Sequence, residues 1–393
     1  MPFQDRKNPL YGTGEITEVA PGVRTIGLQG NSLAVETPSG LVVVDTGPSP
    51  DVVAPVLDQL GEPVRWIVYS HGHLGYNYGV PGFFDYAAAH GERRPTVVAH
   101  ENVIRRYQRY LETAGLQNHI NTRQFRRAMP DLTAPPPITF PDQTYREAMT
   151  LAPDVRLLWA PSETDDVTAV WLPSQRVLYG SAAVINGIPN IGTPMRTMRD
   201  TVRWADTLDR LAALNPAVLV PEFGPVVRED PVRQLTMTAA ALRWLRSAVV
   251  DQLNQGKRAD DIVHDLRYPA ELFDVPWMRE HYGHREYIVR DIVRSETGWW
   301  DGNPTTLHPS RPDVAAAARA EAITDKQAVL DHASRLRGEG RVQEALHVID
   351  LLALAPGDDP LVKQARAVKE ELCAERAAEA SSYVSRSFYR SGW

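Results

Sequence analysis

Two histidines, His71 and His73, have the type and spacing that most directly indicate chemistry in this chain. They follow residues 64–69, an apolar run rich in β-branched and aromatic side chains that predicts a buried strand. Glycines stand around them at positions 72, 75 and 79, and a helix-like segment comes next. Two neutral imidazoles on the loop after a strand can converge on zinc, iron, copper or nickel. The pattern therefore favours a metal site over two unrelated histidines.

The segments around this loop predict a layered α/β fold. Short apolar runs separated by turn residues are typical of an antiparallel meander, and apolar residues at helical spacing indicate a helix. The predicted elements are strands at 16–19, 23–27, 32–36 and 41–45, a helix at 51–60, and strands at 64–69 and 96–99. Elements in this order fit sheets that are sandwiched between helices.

A second polar cluster, residues 162–166 (Ser-Glu-Thr-Asp-Asp), lies between two predicted strands at 155–159 and 167–172. A carboxylate on a loop that links two strands can reach across a cleft to a metal ion. Serine, threonine and aspartate also favour exposed turns on their own account. The residues alone leave both interpretations open.

The histidine loop resembles the signature of the metallo-β-lactamase-fold hydrolases, His-x-His-x-Asp-His after a strand. The string Gly-Trp-x-Asp-Gly-Asn-Pro at 298–304 is similar to that of their alkyl sulfatase-like branch. This resemblance implies an αββα sandwich. It also implies that Glu163 is the carboxylate partner of the two histidines and that Asp45, at the end of a strand, supports the site without binding metal.

The chain departs from the resembled family at the second metal ion. Gly75 and Tyr76 stand where the family has the Asp and His of the signature, and Ser181 stands where it has a bridging acid. Phe223 replaces the family's last histidine, and Glu222 precedes it. The three ligands of the first metal ion are all kept. We therefore expect one divalent metal ion per chain, zinc or iron.

Three protein ligands leave open coordination positions, as a catalytic metal ion requires. The expected function is metal-dependent hydrolysis of a small anionic or amphiphilic substrate, with low or no release of sulfate from medium-chain alkyl sulfates. Two histidines and one carboxylate also match non-haem iron(II) enzymes, so an oxidative or lyase function is an alternative. A metal-free binding protein that keeps the histidines is a third possibility.

Five further residues are candidates for the site. Tyr76 and Glu222 are expected beside the lost second metal ion, where they either serve in proton transfer or substrate binding or merely fill space. Asn190 and Arg196 stand where the resembled enzymes hold an anionic head group, to which an arginine fork can donate two parallel hydrogen bonds. His119 is expected on the cleft wall, with a solvated helix face as the alternative.

The carboxyl-terminal third predicts helical pairs. Residues 313–379 are rich in Ala, Arg, Glu and Leu, with breaks at 338–340 and 356–357, which is typical of tetratricopeptide-like hairpins. The resembled enzymes use this region to dimerise, so a homodimer is expected. The expected domains are a catalytic domain at 1–240, a helical linker region packing on it at 241–312, and a helical dimerisation region at 313–393. Trp299 and Trp300 are expected in the core.

The composition bounds these expectations. The chain has 393 residues, of which 43% are hydrophobic, and a dispersed net charge of -7, so neither disorder nor a nucleic-acid partner is expected. The single cysteine excludes an internal disulfide and a thiolate zinc site. Residues 1–7 lead into no apolar segment of a secretory signal, and no apolar run is long enough to cross a bilayer. We expect a small-molecule substrate, no membrane association and a cytoplasmic protein.

Overall fold

A computed structural model describes residues 12–126 and 131–392, so the expectation about residues 1–7 lies outside the described residues. Within them, the first sheet contains seven strands in sequence order. The strands are β1 (Ile16–Ala20), β2 (Val23–Leu28), β3 (Gly30–Val35), β4 (Leu41–Val44), β5 (Val64–Val68), β6 (Thr96–His100) and β7 (Gln143–Tyr145). β1 to β4 pair antiparallel, which confirms the predicted meander, and β4 to β7 pair in parallel.

The second sheet has the order β12-β11-β10-β9-β8. Its strands are β8 (Ala148–Ala152), β9 (Val155–Trp159), β10 (Thr168–Leu172), β11 (Val177–Ile185) and β12 (Val218–Phe223). β11 and β12 are parallel, and the other neighbours are antiparallel. β7 and β8 were not predicted. Both are edge strands in which only one residue each, Tyr145 and Ala152, is fully buried, and β7 is only three residues long, so neither has a long apolar run.

Helices cover the outer face of each sheet and form the carboxyl-terminal region. In the described residues the α-helices are α1 (Pro50–Leu60), α2 (Val80–Ala89), α3 (Asn102–Glu112), α4 (Ala114–Gln124), α5 (Thr201–Ala212), α6 (Pro231–Asn254), α7 (Ala259–Asp265), α8 (Ala270–Phe273), α9 (Arg285–Thr297), α10 (Pro304–Leu307), α11 (Pro312–Glu321), α12 (Lys326–Gly338), α13 (Val342–Ala353), α14 (Pro360–Glu379) and α15 (Tyr383–Tyr389). None of them is both long and apolar enough to cross a membrane.

Strand β4 shows why its sequence is apolar at every position. Its alternate residues point to opposite faces of the sheet. Val42 and Val44 pack in the core between the two sheets, whereas Leu41 and Val43 pack against the outer helices. The second sheet packs its outer face in the same way on α5, α6 and α9. These layers confirm the predicted αββα sandwich.

The helical prediction for the carboxyl-terminal third is also confirmed. α12, α13 and α14 pack as successive hairpins around a core of their own. The predicted boundary between residues 240 and 241 falls within α6, and the proposed domain limits stay predictions. After α14 the chain returns to the catalytic side, where the Tyr383 amide donates a hydrogen bond to the His281 carbonyl over 2.9 Å.

The prediction that Trp299 and Trp300 lie in the core is wrong. Their exposed fractions in the single chain are 74% and 42%. Local polar contacts rather than packing shape the loop between α9 and α10. The Asp301 carboxylate accepts a hydrogen bond from the Asn303 amide over 2.9 Å, and the Trp300 indole donates to the Asn303 carbonyl over 3.2 Å.

Candidate active site

The histidine loop leaves the carboxyl end of β5 and is anchored by Asp45 at the end of β4. The Asp45 Oδ1 atom accepts hydrogen bonds from the Ser70 amide over 2.9 Å and from the Asn77 Nδ2 atom over 3.0 Å. These contacts fix the loop on both sides of its histidines. Further along, a Cβ atom on Gly79 would lie 2.2 Å from the Thr46 carbonyl oxygen, so this close approach requires glycine. The supporting role that the resemblance implied for Asp45 agrees with this geometry.

The structure brings His71, His73 and Glu163 together. The His71 Nε2 and His73 Nδ1 atoms are 2.9 Å apart, and the His73 Nδ1 and Glu163 Oε2 atoms are 3.4 Å apart. One ligand atom from each residue lies within 4.8 Å of the others, as a shared cation requires. We call these three residues the cradle. Among the described residues, the cradle is the group of three ligating side chains that could hold a metal ion.

The protonation states of the cradle suit a cation. Burial, and then the charge of His73, lowers the pKa of His71 to about 3, and burial also lowers the pKa of His73. Burial opposes ionisation of Glu163, but Arg199 and His73 outweigh it and hold its pKa well below the usual range. At neutral pH the cradle therefore offers two imidazole lone pairs and one carboxylate, and its residues fit a divalent metal ion.

The two oxygens of Glu163 have different surroundings. Its Oε1 atom lies 2.7 Å from the Arg199 Nη1 atom and accepts a hydrogen bond from the Asn190 Nδ2 atom over 2.8 Å. The Oε2 atom is left to face the histidines. Asn190, predicted to bind substrate, thus holds the cradle carboxylate. Arg199 lies three residues after Arg196 and was not among the predicted site residues.

The Glu163 loop is buried, so the exposed-turn interpretation of residues 162–166 is wrong. Asp166 joins this loop to the histidine loop, because its Oδ2 atom accepts hydrogen bonds from the Gly72 amide over 3.0 Å and from the Arg106 Nε atom over 2.7 Å. A Cβ atom on Gly72 would lie 2.8 Å from that oxygen. Glycine between the two histidines thus lets the metal-binding loops meet.

A cavity of ≈ 460 Å³ opens beside the cradle. His73 and Glu163 line it, and the fully buried His71 lies next to them. Apolar walls and several arginines line the remainder. The apolar and aromatic lining residues include Leu74, Tyr76, Tyr78, Tyr110, Leu116, Ile120, Phe125, Ala134, Pro135, Pro136, Pro137, Ile185, Ile188, Met195, Phe223 and Tyr282. The cavity is thus shaped for a ligand that has both an anionic and an apolar part.

Helix α4 contacts one predicted substrate residue, Arg196, in the cavity and turns another, His119, away from it. It turns Gln117, Asn121 and Gln124 to the cavity, where their side-chain oxygens accept hydrogen bonds from Arg196 over 3.3, 2.8 and 2.7 Å. Arg196 lines the cavity as predicted. His119 does not line it and is exposed, because its position on α4 falls on the opposite face. The prediction that His119 lies on the cleft wall is wrong.

Comparisons with known proteins agree with this architecture. Residues 25–222 match the metallo-beta-lactamase superfamily, and residues 258–393 match the family described as alkyl sulfatase dimerisation. A linear primary-alkylsulfatase of Pseudomonas sp. is 30% identical over 365 residues, which cover 85% of this chain and 68% of the relative. The chain belongs to the alkylsulfatase family of the metallo-β-lactamase superfamily.

Other relatives extend the match. The alkyl/aryl-sulfatase BDS1 of Saccharomyces cerevisiae is 24% identical, with 99% of this chain and 64% of the relative covered. The solved structure of the sec-alkylsulfatase Pisa1 from Pseudomonas sp. shares the fold with a TM-score of 0.80 at 20% identity, covering 96% of this chain and 64% of that one. The chain spans about two thirds of the length of these relatives. Nothing in these comparisons supports the iron-dependent oxidative alternative.

In this alkylsulfatase-family chain, other side chains stand at the positions where the resembled signature would place the ligands of a second metal ion. Gly75 has a φ of 95°, and a Cβ atom there would lie 2.6 Å from the Gln29 Oε1 atom. The Gln29 amide therefore occupies the space that an acidic side chain at position 75 would need. The Ser181 hydroxyl donates a hydrogen bond of 3.4 Å to the Ser70 carbonyl oxygen. Among the described residues, no further group of His, Cys, Asp and Glu could hold a metal ion.

Tyr76 and Glu222 form a buried pair beside the cradle. The Tyr76 ring packs edge-on against His71 at a centroid distance of 4.4 Å, and its hydroxyl interacts with the Glu222 carboxyl. The Glu222 Oε1 atom lies 3.8 Å from the His71 Nε2 atom and has no hydrogen-bond partner. Burial, and then the charge of Glu163, raises the pKa of Glu222 well above its usual range. The two residues lie where they were predicted, and their catalytic role stays a prediction.

The two buried glutamates are expected to differ in metal binding. Glu163→Gln removes the carboxylate of the cradle and should weaken zinc binding on the order of 100-fold or more. Glu222→Gln keeps a side chain of the same shape outside the cradle and should weaken zinc binding much less than Glu163→Gln does, because no metal ligand is removed. Competition titration with a chromophoric chelator measures both values. Equal losses in the two variants would show that the metal assignment is wrong.

Proposed function

We propose that this chain hydrolyses a sulfate ester of an amphiphilic molecule, using one zinc ion held by His71, His73 and Glu163. The observation that carries this proposal is the convergence of the cradle on a cavity that combines arginines with apolar walls. The donor set of two imidazoles and one carboxylate suits catalytic zinc, because it leaves positions open. The sulfatase activity of the relatives supports the reaction class.

Arg196 supports an anionic substrate. Its guanidinium is bound by three neutral amide oxygens, and no carboxylate of the described residues lies within salt-bridge distance. Burial lowers the pKa of Arg196, which reflects the cost of keeping this charge away from water. A sulfate group in the cavity would offset that cost, and the arginine fork can donate two hydrogen bonds to it.

The other polar residues have roles around the cradle. When bound, zinc would lower the pKa of a coordinated water to about 7 and polarise an ester oxygen. Arg199 and Asn190 hold one oxygen of Glu163, which orients the other. When the Nε2 atom of His71 binds zinc, the proton of the imidazole is on Nδ1. The Nδ1 atom can then donate a hydrogen bond to the Ser70 hydroxyl, 2.9 Å away. Glu222, with its free oxygen, is placed to donate a hydrogen bond to a substrate oxygen.

Sulfate release from octyl sulfate tests the reaction. We expect slow release that disappears after chelation and returns with one equivalent of zinc per chain. Arg196→Gln should lower kcat/KM by about 100-fold, because a charge-assisted pair of hydrogen bonds is lost. Arg290→Gln serves as the matched control, because Arg290 is exposed on α9 and paired with Asp260 over 2.8 Å. Metal-independent release, or an Arg196 variant that equals the control, would contradict the proposal.

We also propose that residues 258–393 form a homodimer. The family match for this range is to a dimerisation region, and its apolar side chains at Trp299, Trp300, Leu307 and Val314 are 74%, 42%, 42% and 53% exposed in the single chain. Apolar area of this kind is typical of an interface.

Light scattering after gel filtration tests the homodimer. The unaltered chain should have twice the chain mass, and Trp299→Ser should shift it towards the monomer because a large aromatic contact is lost. Leu111→Ser, at a residue 41% exposed on α3, should leave the dimer intact. A monomeric unaltered chain would refute this proposal.

A further inference from the structure

The charges that line the cavity do not balance. Its only acidic lining residues among those described are Glu163 and Glu222, whereas the arginines that line it are Arg106, Arg109, Arg196, Arg199, Arg279 and Arg294. Arg106 is paired with Asp165 and Asp166, and Arg199 is paired with Glu163. The remaining guanidiniums have no salt bridge to the described residues, so the cavity is strongly cationic.

Two of these cations, Arg279 and Arg294, lie at the opening of the cavity. Both line it and both are exposed to solvent, as are the apolar lining residues Leu116 and Met195. They come from the helical region that follows the catalytic sandwich. The cradle residue Glu163, in contrast, is only 8% exposed. The opening and the cradle are therefore two separate places for an anionic group.

Neither arginine has a salt bridge to the described residues. The two carboxylates near Arg294 in sequence have other partners, because Glu296 is paired with Arg246 over 2.6 Å and Asp291 accepts a hydrogen bond from the Arg199 amide over 2.9 Å. Arg279 lies close enough to His281, another lining residue, to add to the lowering of the pKa of His281 that burial causes. Arg279 and His281 thus both line the cavity, with Arg279 exposed to solvent at its opening. Unpaired like charges that face one cavity repel each other, and an anion relieves that repulsion.

We propose that the substrate carries a second oxyanion group, at the end of its apolar chain opposite the reacting ester, and that Arg279 and Arg294 bind this group at the cavity opening. This inference rests on the proposed function, which assigns the first anionic group to the cradle and Arg196. The apolar walls between the two places hold the connecting chain. The substrate class is therefore an amphiphile with an anionic group at each end.

Binding of unreactive sulfonates tests the second group. Octane monosulfonate and octane-α,ω-disulfonate have the same chain and carry carbon–sulfur bonds that a sulfatase does not hydrolyse. Calorimetric titration of the full chain loaded with zinc should show that the disulfonate binds about tenfold more tightly, as one additional charge-assisted contact predicts. Equal affinities for the two compounds would overturn the inference.

Variants test whether Arg279 and Arg294 cause the tighter binding of the disulfonate. Arg279→Gln and Arg294→Gln should each reduce the preference for the disulfonate, and the double variant should abolish it while the affinity for the monosulfonate stays unchanged. Arg290→Gln, on the same helix as Arg294 but outside the cavity, should keep the full preference. Both arginines are exposed, so the variants should fold, and circular dichroism checks this.

The failure of this inference can be told apart from the failure of the proposed function. If the double variant weakens both sulfonates equally, the two arginines bind the first anionic group and the inference is wrong, whereas an anionic substrate remains. If the unaltered, zinc-loaded chain binds neither sulfonate, the proposed function fails and the inference fails with it.

Discussion

The carboxylate of Glu163 is buried between His73 and Arg199, and the arrangement of the site depends on how its charge is compensated. An unpaired carboxylate in this position would be costly, so one oxygen is held by Arg199 and Asn190. The other oxygen faces two imidazoles that burial keeps neutral. One negatively charged oxygen and two imidazole lone pairs therefore surround one point, where a cation would be stabilised. Asp45 and Asp166 fix the loops that carry these groups.

The same charge argument applies to the positions where the resembled signature would hold a second metal ion. The resembled signature would supply acidic groups at the positions of Gly75 and Ser181, and imidazoles at those of Tyr76 and Phe223. Replacing two acids by uncharged residues removes the negative charge that a second divalent cation would balance. The Gln29 amide takes the space beside Gly75. Glu222 adds a carboxyl, but burial raises its pKa well above the usual range. These replacements support the proposal of one metal ion per chain, with Tyr76 and Glu222 as a hydrogen-bonding pair beside it.

Local patterns made much of the fold predictable from the sequence. The short apolar runs from β1 to β4 and the turn residues between them are dictated by neighbours along the chain, and the structure confirms the four strands. The cradle followed from the histidine spacing together with the resemblance. Arg199 and Gln29 were missed because their contacts, with Glu163 and Gly75, join residues far apart in sequence. The spacing of residues along the chain does not predict such contacts.

The errors have physical causes as well. His119 was assigned to the cleft because this segment lines the mouth of the substrate cleft in the resembled enzymes, but the phase of α4 decides which residues face the cavity. The amides of Gln117, Asn121 and Gln124 mark that face, and they do so by binding Arg196. The tryptophans were assigned to the core because, in the resembled family, their string packs the helical region against the catalytic domain. Large apolar residues also occur at interfaces, and composition does not distinguish the two.

The number of zinc ions per chain tests the central claim most directly. The chain should be purified without chelator, equilibrated with excess zinc, freed of unbound metal, and measured by mass spectrometry of the native protein together with elemental analysis. A single cradle predicts one zinc ion per chain, which is lost in the His73→Ala variant. Two zinc ions per chain, or one that the variant retains, would contradict the account.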